Sequence, residues 1–412
     1  MWDKNPCLIM QVGFTLLGVS GYLDPTSIWS TDRMFSLRSV IILSLLPVLL
    51  LFAGCNTIEL QPSISMEDLL KRPRQITSAP PQMEYDLLYV DEEMRAFVEK
   101  IIAGTRSTDA RLRRLLRGMS RRGLANLNYN LDLTYTAQNT FHRLEGNCLS
   151  FTNLFVALAR EAGLRVHYQM VEVPPKWDAG EGGLVILNNH VNVIVEQRFN
   201  TDYLVDFNLF EYQDNYRSKV VSDDYAESMF YSNLAVEALQ NGLYGDSFWY
   251  LHRALNLYSP IASSWINLGV LYSRLDQPLK AESAYLHALQ LDQGNKSALA
   301  NLASLYTLMG DAPRAEVYVN MVNYYRERNP YYHFSLASRA FENGQFEVAL
   351  GYLERSLRLK QVEHQFHYLK SLTYSELGNV EQARKSLERA YRYAVYQETR
   401  SKYSAELAAF ST

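Results

Sequence analysis

The chain has 412 residues, of which 48% are hydrophobic, and its formal net charge is −4. This length and apolar content allow a large core, and we expect two or three folded domains. The slight negative charge argues against a nucleic-acid partner. The arginine-rich run at 106–122 is interpreted as the solvated face of a helix.

The first part of the chain contains a pattern typical of secretion signals. Met34–Arg38 is a short basic stretch, 39–51 is apolar, and Phe52-Ala-Gly-Cys55 places small residues before a cysteine. The apolar run is short for a mature membrane-spanning helix. The pattern resembles a bacterial lipoprotein signal peptide. The resemblance implies that Cys55 is lipidated and becomes the first residue of the mature protein, which would attach it to a membrane.

Residues 1–33 precede a complete signal, so we expect translation to start at Met34 and the signal peptide to occupy 34–54. Asn56 follows the lipidation cysteine. In the lipoprotein family an aspartate there commonly signals inner-membrane retention. The resemblance therefore implies a periplasm-facing protein of the bacterial envelope, at the outer membrane. A single uncleaved membrane anchor is the alternative.

Residues 55–83 contain four prolines and few large apolar side chains. Such a composition predicts a flexible tether between the anchor and the folded domains. Its role would be to let the folded part extend away from the membrane. A folded domain is predicted to follow, from residue 84 to residue 225.

Within that domain, Cys148 lies where a tight turn meets a helix. Gly146 can adopt the backbone angles of such a turn, and apolar residues at helical spacing follow between 154 and 162. The positive end of the helix dipole favours the thiolate over the thiol and so increases nucleophilicity. The alternative is a small buried thiol that serves only packing.

Three short runs rich in β-branched and aromatic residues predict antiparallel strands after this helix: 165–173, 189–197 and 203–207. His190 lies at the start of the second run and Asp206 lies in the third. A thiolate nucleophile needs an imidazole to take and return its proton, and the imidazole needs a carboxylate to orient it. A hairpin could bring His190 and Asp206 to one face, although each alone is also an ordinary structural residue.

The segment between the first two strands predicts a long flexible loop, because it contains Pro174, Pro175 and a glycine cluster at 180–183. Loops at the edge of a sheet often bind or cover a substrate. We therefore expect a lid or a substrate-binding loop there.

Residues 125–215 resemble the transglutaminase-like superfamily of papain-related cysteine enzymes. The resemblance rests on Gly146-Asn-Cys148 at the start of a helix, on His190-Val-Asn192, and on Asp206 in an apolar strand. It implies an α+β fold with Cys148 as nucleophile, His190 as general base and acid, and Asp206 as the residue that orients the imidazole.

Members of this superfamily hydrolyse peptides, cross-link glutamine to lysine, cleave other amides, or have lost activity. The family often has an aromatic residue where this chain has Asn192, which leaves the type of substrate open. No cofactor is expected. Zinc is the competing use of Cys, His and Asp, but the chain lacks the paired ligand spacing typical of zinc sites, so no metal is predicted.

The last predicted region repeats every 34 residues. One column of the repeat holds small residues: Ser247, Ala281, Ala315, Ala349 and Ala383. A second column marks the turn between helices: Gly242, Asp276, Gly310, Gly344 and Gly378. The pattern resembles five tetratricopeptide repeats over 228–397, followed by a tail at 398–412.

This resemblance implies an all-α solenoid whose first helices line a concave groove for a peptide or protein. Four residues on those helices are predicted to line the groove: Asn267, Tyr272, Asn301 and Tyr306. The chain between Asp206 and the first repeat is short, so we expect the solenoid to pack directly against the cysteine-bearing domain.

Together these features predict a membrane-anchored envelope cysteine enzyme that acts on peptide or protein amide bonds. Hydrolysis is preferred over cross-linking because water is always available as the acceptor. The repeats would dock a substrate or a partner. The alternative is a catalytically inactive scaffold lipoprotein that assembles an envelope complex through its repeats.

Overall fold

The computed structural model describes residues 61–83, 85–124, 128–130, 133–172, 176–177, 185–186, 189–197, 202–206, 217–395 and 397–410. The predicted upstream extension, the signal peptide and Cys55 lie outside these residues. Residues 62–412 form one compact unit, and the description below concerns this unit. No helix in the described part of the chain is long and apolar enough to cross a membrane.

The first half of this unit combines helices with short strands. Its helices are α1 Met66–Leu69, α2 Glu92–Ile102, α3 Thr108–Arg121, α4 Ala137–Arg143 and α5 Cys148–Glu161. Its strands are β1 Asn128–Tyr129, β2 Glu145–Gly146, β3 Val166–Glu172, β4 Lys176–Trp177, β5 Val185–Ile186, β6 Asn189–Val195, β7 Tyr203–Val205 and β8 Ser218–Val221.

The main sheet is antiparallel and has the strand order β7-β6-β3-β8. The three strands predicted from the sequence are present as β3, β6 and β7. Alternation along β6 places Val191, Val193 and Val195 on the face that shares a core with α5. His190 and Asn192 alternate with these valines along β6 and form a separate polar cluster with Asp206.

Helix α5 is the buried centre of this half. Every residue from Leu149 to Ala159 is buried, against α2, α3, α4 and the sheet. A helix that is covered on all sides must be apolar on all sides, which explains the dense run of apolar residues after Cys148. Gly163, with a φ of +72°, lies just after the end of the helix.

Five helix pairs and a final helix form the second half. The pairs are α6 Asp223–Gln240 with α7 Tyr244–Leu257, α8 Ala262–Arg274 with α9 Pro278–Leu291, α10 Lys296–Leu308 with α11 Ala312–Glu327, α12 Pro330–Glu342 with α13 Phe346–Leu359, and α14 His364–Glu376 with α15 Val380–Tyr393. The whole predicted turn column adopts the left-handed backbone, including Asp276 at a φ of +55°. The small-residue column is buried between helices.

The final helix, α16 Gln397–Ala409, occupies most of the segment that the sequence left as a tail. Its Tyr403 is buried against Leu387, Ala390 and Ala394 of the last repeat. Terminal elements of a solenoid cover an apolar face that no further repeat would bury. The predicted tail is thus a capping helix.

Residues 62–83 were expected to form a tether, but they pack along the first two helix pairs. Leu69 is fully buried and Ile76 is 4% exposed. Side chains of the repeats also bond to the backbone of this segment. This part of the predicted tether is therefore an ordered segment. Burial of a few well-spaced apolar residues is enough to attach an otherwise polar segment to the repeats.

The two halves share a core and have no linker between them. Leu149, the residue after Cys148, lies in one apolar cluster with Phe230, Tyr231 and Ala254 of the first repeat. Strand β8 leads into α6 through the capping residue Ser222. The solenoid packs directly against the cysteine-bearing half, as the short connection predicts.

Candidate active site

The turn before Cys148 requires glycine. Gly146 has a φ of +151°, and an added Cβ would lie 2.6 Å from the Cβ of Ser150. Because Ser150 is on α5 itself, neither side of this contact can yield easily. The chain therefore reaches the helix through a turn that only a residue without a side chain can make.

Hydrogen bonds fix the first turn of α5. The Asn147 Oδ1 atom accepts from the Ser150 backbone N–H at 3.0 Å, and the Asn147 Nδ2 atom donates to Thr134 Oγ1 at 2.6 Å. The hydroxyl of Ser150 accepts from the Tyr135 N–H at 2.8 Å. Cys148 is therefore the first residue of a helix whose start is anchored to a neighbouring segment, and as a residue it is partly exposed.

One turn further along, α5 is joined to β6. Thr152 Oγ1 donates to the backbone carbonyl of Val191 at 3.1 Å. Residues four apart lie on the same side of a helix, so Cys148 lies on the side of α5 that meets the start of β6. His190, directly before Val191, is the residue that interacts with the Cys148 thiol.

His190 and Asp206 form a buried pair. The imidazole Nε2 lies 2.7 Å from Oδ2 and 2.8 Å from Oδ1 of the carboxylate, and the two side chains are 1% and 2% exposed. Burial by itself lowers the pKa of His190, but the hydrogen bond to Asp206 and then the Cys148 thiol raise it to about 9. The imidazole is therefore protonated at neutral pH.

The other ring nitrogen, Nδ1 of His190, is buried and has no hydrogen-bond partner among the described residues. The carboxylate holds a proton on Nε2, so Nδ1 is the atom that can gain or lose a proton. The structure thus brings the three sequence-predicted residues together. It leaves Nδ1 available for chemistry at the thiol.

Asn192 supports this pair from the same strand. Its Nδ2 atom donates to Asp206 Oδ2 at 3.1 Å, and the side chain is fully buried. The sequence identified this residue only as a departure from the family pattern. The period of two along β6 could have indicated its role, because it places Asn192 on the same face as His190.

Two short strands between β3 and β6 contact the repeats. Strand β4 contacts α12, and β5 contacts α10, both of them first helices of their pairs. Much of the predicted lid, including the glycine cluster, lies outside the described residues. The described strands β4 and β5, which precede β6 in the chain, are nevertheless in contact with the solenoid.

Two of the four predicted groove residues are not accessible. Tyr272 is fully buried and Tyr306 is 2% exposed. The hydroxyl of Tyr272 donates to the carbonyl of Leu69, and that of Tyr306 donates to Glu282 Oε1. Both tyrosines therefore have a structural role, because their positions on the helices direct the side chains between neighbouring elements.

Asn267 and Asn301 are half-buried and bond within the solenoid. Asn267 Nδ2 donates to Ser232 Oγ of the preceding repeat at 3.1 Å, and Asn301 Nδ2 donates to the Ser297 carbonyl at 2.9 Å. Whether they contact a ligand stays a prediction. No group of three or more metal-ligating side chains occurs among the residues that the structure describes.

Comparison with known proteins identifies the repeats. The sequence profile of the tetratricopeptide repeat matches residues 262–295 and 364–394, which cover the second and fifth helix pairs. No curated protein matches the chain in sequence.

Solved structures with similar helical arrays cover less than half of this chain. YrrB, described as a TPR protein with an unusual peptide-binding site, is 17% identical, with 43% of this chain and 92% of that chain covered and a TM-score of 0.23. PilF of Pseudomonas aeruginosa is 18% identical, with 46% and 93% covered and a TM-score of 0.25. MamA of Desulfovibrio magneticus RS-1 is 13% identical, with 42% and 96% covered and a TM-score of 0.24.

The profile match falls on two of five helix pairs that share one 34-residue period, one turn geometry and one column of small residues. Such an array is a protein-interaction architecture. The C-terminal half of this chain is therefore a solenoid of tetratricopeptide repeats.

Proposed function

We propose that the protein binds a protein partner through its repeats and acts on peptide amide bonds with a cysteine-dependent centre of the transglutaminase-like type. One observation carries the proposal. A buried His190–Asp206 pair, 2.7 Å apart, lies against the thiol of Cys148, a partly exposed residue at the start of a helix. Packing alone does not require this combination, since burying an imidazole and a carboxylate costs free energy.

In this proposal the Cys148 thiolate attacks the carbonyl carbon of an amide while the protonated His190 lies beside it. The tetrahedral intermediate collapses, the C–N bond breaks, and Nδ1 of His190 gives its proton to the leaving amine. A thioester remains on Cys148. Water, deprotonated by Nδ1 as it attacks, releases the acid and restores the thiolate. Asp206 keeps the imidazole oriented throughout.

Hydrolysis is preferred over transfer to a second amine because water needs no binding site. The repeats support a peptide or protein substrate, because α10 and α12 contact the strands β5 and β4 of the loop that leads into β6. A chain held along the first helices of the repeats would lie close to that loop. The local concentration of its amide bonds at Cys148 would rise accordingly.

Labelling of Cys148 by a peptide vinyl sulfone tests the catalytic part. This probe reacts with an activated thiolate, and imidazole assistance is worth about 10²–10⁴-fold in rate. We expect His190→Ala to slow labelling by at least about 100-fold. His142→Ala is the matched control, because His142 is an exposed histidine that pairs with Asp91 and Glu93 and not with the buried Asp206. Equal labelling of all three proteins would exclude the catalytic proposal.

A scaffold without catalysis is the second candidate. The observation that favours it is that the matched profile covers repeats alone, which are interaction modules. Under this reading the His190–Asp206 pair serves only structure, and Cys148 should react with the vinyl sulfone no faster than an ordinary exposed thiol. The labelling experiment therefore decides between the two.

The proposal also includes attachment to the periplasmic face of the bacterial outer membrane through lipid on Cys55, which rests on the signal-like sequence that ends there. Several acyl chains on one residue hold far more firmly than a single chain. We expect Cys55→Ala to move the protein from the membrane fraction to the soluble fraction. An intact N-terminal peptide with unmodified Cys55, detected by mass spectrometry, would contradict lipidation.

A further inference from the structure

Residues 62–83, named here the N-terminal strap, follow the first two repeats in reverse order. Ile64 contacts α9, Leu69 contacts α8, Ser78 contacts α7 and Met83 contacts α6. The strap thus crosses four successive helices and does not simply rest on one of them. Such a path is that of a bound peptide running along a repeat surface.

The repeats hold the main chain of the strap. Four side chains donate to four backbone carbonyls: Tyr231 to Met83, Trp249 to Ser78, Tyr272 to Leu69 and His287 to Ile64. The backbone N–H of Ile64 in turn donates to Ser283 Oγ at 3.2 Å. Since every peptide carries these backbone groups, the contacts recognise a chain path more than a particular sequence.

Apolar side chains also bind the strap to the repeats. Leu69 and Ile76, seven residues apart, are 0% and 4% exposed, and Pro73 between them is also buried. Most of their neighbours along the strap are exposed. The surface therefore selects two well-spaced apolar residues in a segment that is otherwise polar.

One glycine marks the point where the strap crosses α7. A Cβ added to Gly245 would lie 3.2 Å from the Cβ of Ser78 and 3.7 Å from Ile76 Cγ2. The other four repeats carry larger residues at this position of the 34-residue period: Leu279, Pro313, Glu347 and Glu381. The glycine at position 245 therefore occurs only in the repeat where the strap crosses this position, and it is not a general feature of the repeat.

We propose that the first two repeats form a peptide-binding surface that the strap occupies in cis. The competing ligand is a segment of a partner protein that presents two apolar side chains seven residues apart on an otherwise polar chain. The proposal does not depend on the chemistry of Cys148.

In competition for this surface, the strap is strongly favoured over a free peptide. A covalently linked ligand acts at an effective concentration of about 1 mM, so a free peptide of equal intrinsic affinity at about 10 µM is outcompeted by about 100-fold. The surface is consequently closed to free peptide in the intact protein. Weakening the strap should open it.

The test uses the full chain and a fluorescein-labelled synthetic peptide with the sequence of residues 62–83. In Leu69→Ser/Ile76→Ser we expect the strap amides to lose hydrogen-exchange protection and the labelled peptide to bind at least tenfold more tightly than it binds the wild type. Met66→Ser is the matched control, because Met66 is an apolar strap residue that is 38% exposed. It should leave both protection and binding unchanged.

A second variant addresses the surface itself. Gly245→Leu should displace the strap by steric conflict and, added to the double variant, should weaken peptide binding at least tenfold. Gly351→Leu is its control, since Gly351 lies on α13 with open space around it. If both the double variant and Gly245→Leu keep the strap protected, or if the released double variant binds no peptide, the proposal is wrong and the strap is an ordinary part of the core.

Discussion

At the scale of single residues, the protonation of His190 depends on its neighbours. Burial favours the neutral ring, whereas Asp206 and Cys148 favour the charged one, and the pKa reaches about 9 against an ordinary value of 6.5. A group whose pKa is raised on folding stabilises the protein fully below its unfolded pKa. That stabilisation is lost as the pH rises through the folded pKa.

Asp206→Asn should therefore destabilise the protein most below about pH 6.5 and least above about pH 9. The amide cannot pair with a charged imidazole, and burial then lowers the pKa of His190. Urea unfolding of both proteins across this pH range measures the difference.

Asp311→Asn is the matched control for this titration. It breaks an ion pair with Arg314, at 2.6 Å, whose two partners keep their charges across this pH range. Its effect should stay constant with pH. A constant deficit for Asp206→Asn as well would mean that His190 is not charged in the folded protein.

At the scale of elements, helix α5 and the first repeat share packing contacts. Leu149 of α5 lies in one cluster with Phe230 and Tyr231 of α6. The position of Cys148 is thus supported from outside the domain that the sequence assigns to it. Substitutions that destabilise the first repeat should therefore change the reactivity of the Cys148 thiol.

We expect Phe230→Ala to cost about 3–5 kcal/mol of unfolding free energy and to slow vinyl sulfone labelling of Cys148, because Leu149 loses a packing partner. Phe366→Ala provides the comparison. Phe366 is also fully buried but packs against Tyr331 and Phe334, far along the solenoid. It should lower stability without changing the labelling rate, and similar rates for both variants would argue against the coupling.

At the scale of the whole molecule, we expect that the domain boundary predicted near residue 225 does not separate two independently folding parts, because one apolar cluster spans it. A repeat array is close to one-dimensional, so repeats can be removed from its free end without unfolding the remainder. The first two repeats differ from the others because they also hold the N-terminal strap and the cluster around Leu149.

A chain ending at residue 293 should fold and keep Cys148 reactive, whereas a chain ending at residue 222 should not. The longer version retains α6 to α9 and every strap contact named above, while the shorter one exposes Leu149 and Leu87. Circular dichroism and the labelling rate measure the outcome. A folded, reactive 222-residue chain would show that the cysteine-bearing half is an independent domain.

The sequence by itself determined the features that repeat or alternate locally. The 34-residue period predicted the helix pairs and their turns, and period-two runs predicted β3, β6 and β7. The position of Cys148 at the start of a helix followed from Gly146 and the apolar spacing after it. Short-range sterics and one-sided burial govern these features, so the pattern is contained in neighbouring residues.

Only the tertiary structure decided which surfaces those elements cover. The hydroxyl of Tyr272 bonds a carbonyl 203 residues earlier in the chain, and this contact turns a predicted groove residue into a buried one and a predicted tether into a strap. The role of Asn192 likewise depends on Asp206, which lies 14 residues later, directly after β7. Such contacts depend on how separate elements fit together, and no local period encodes that fit.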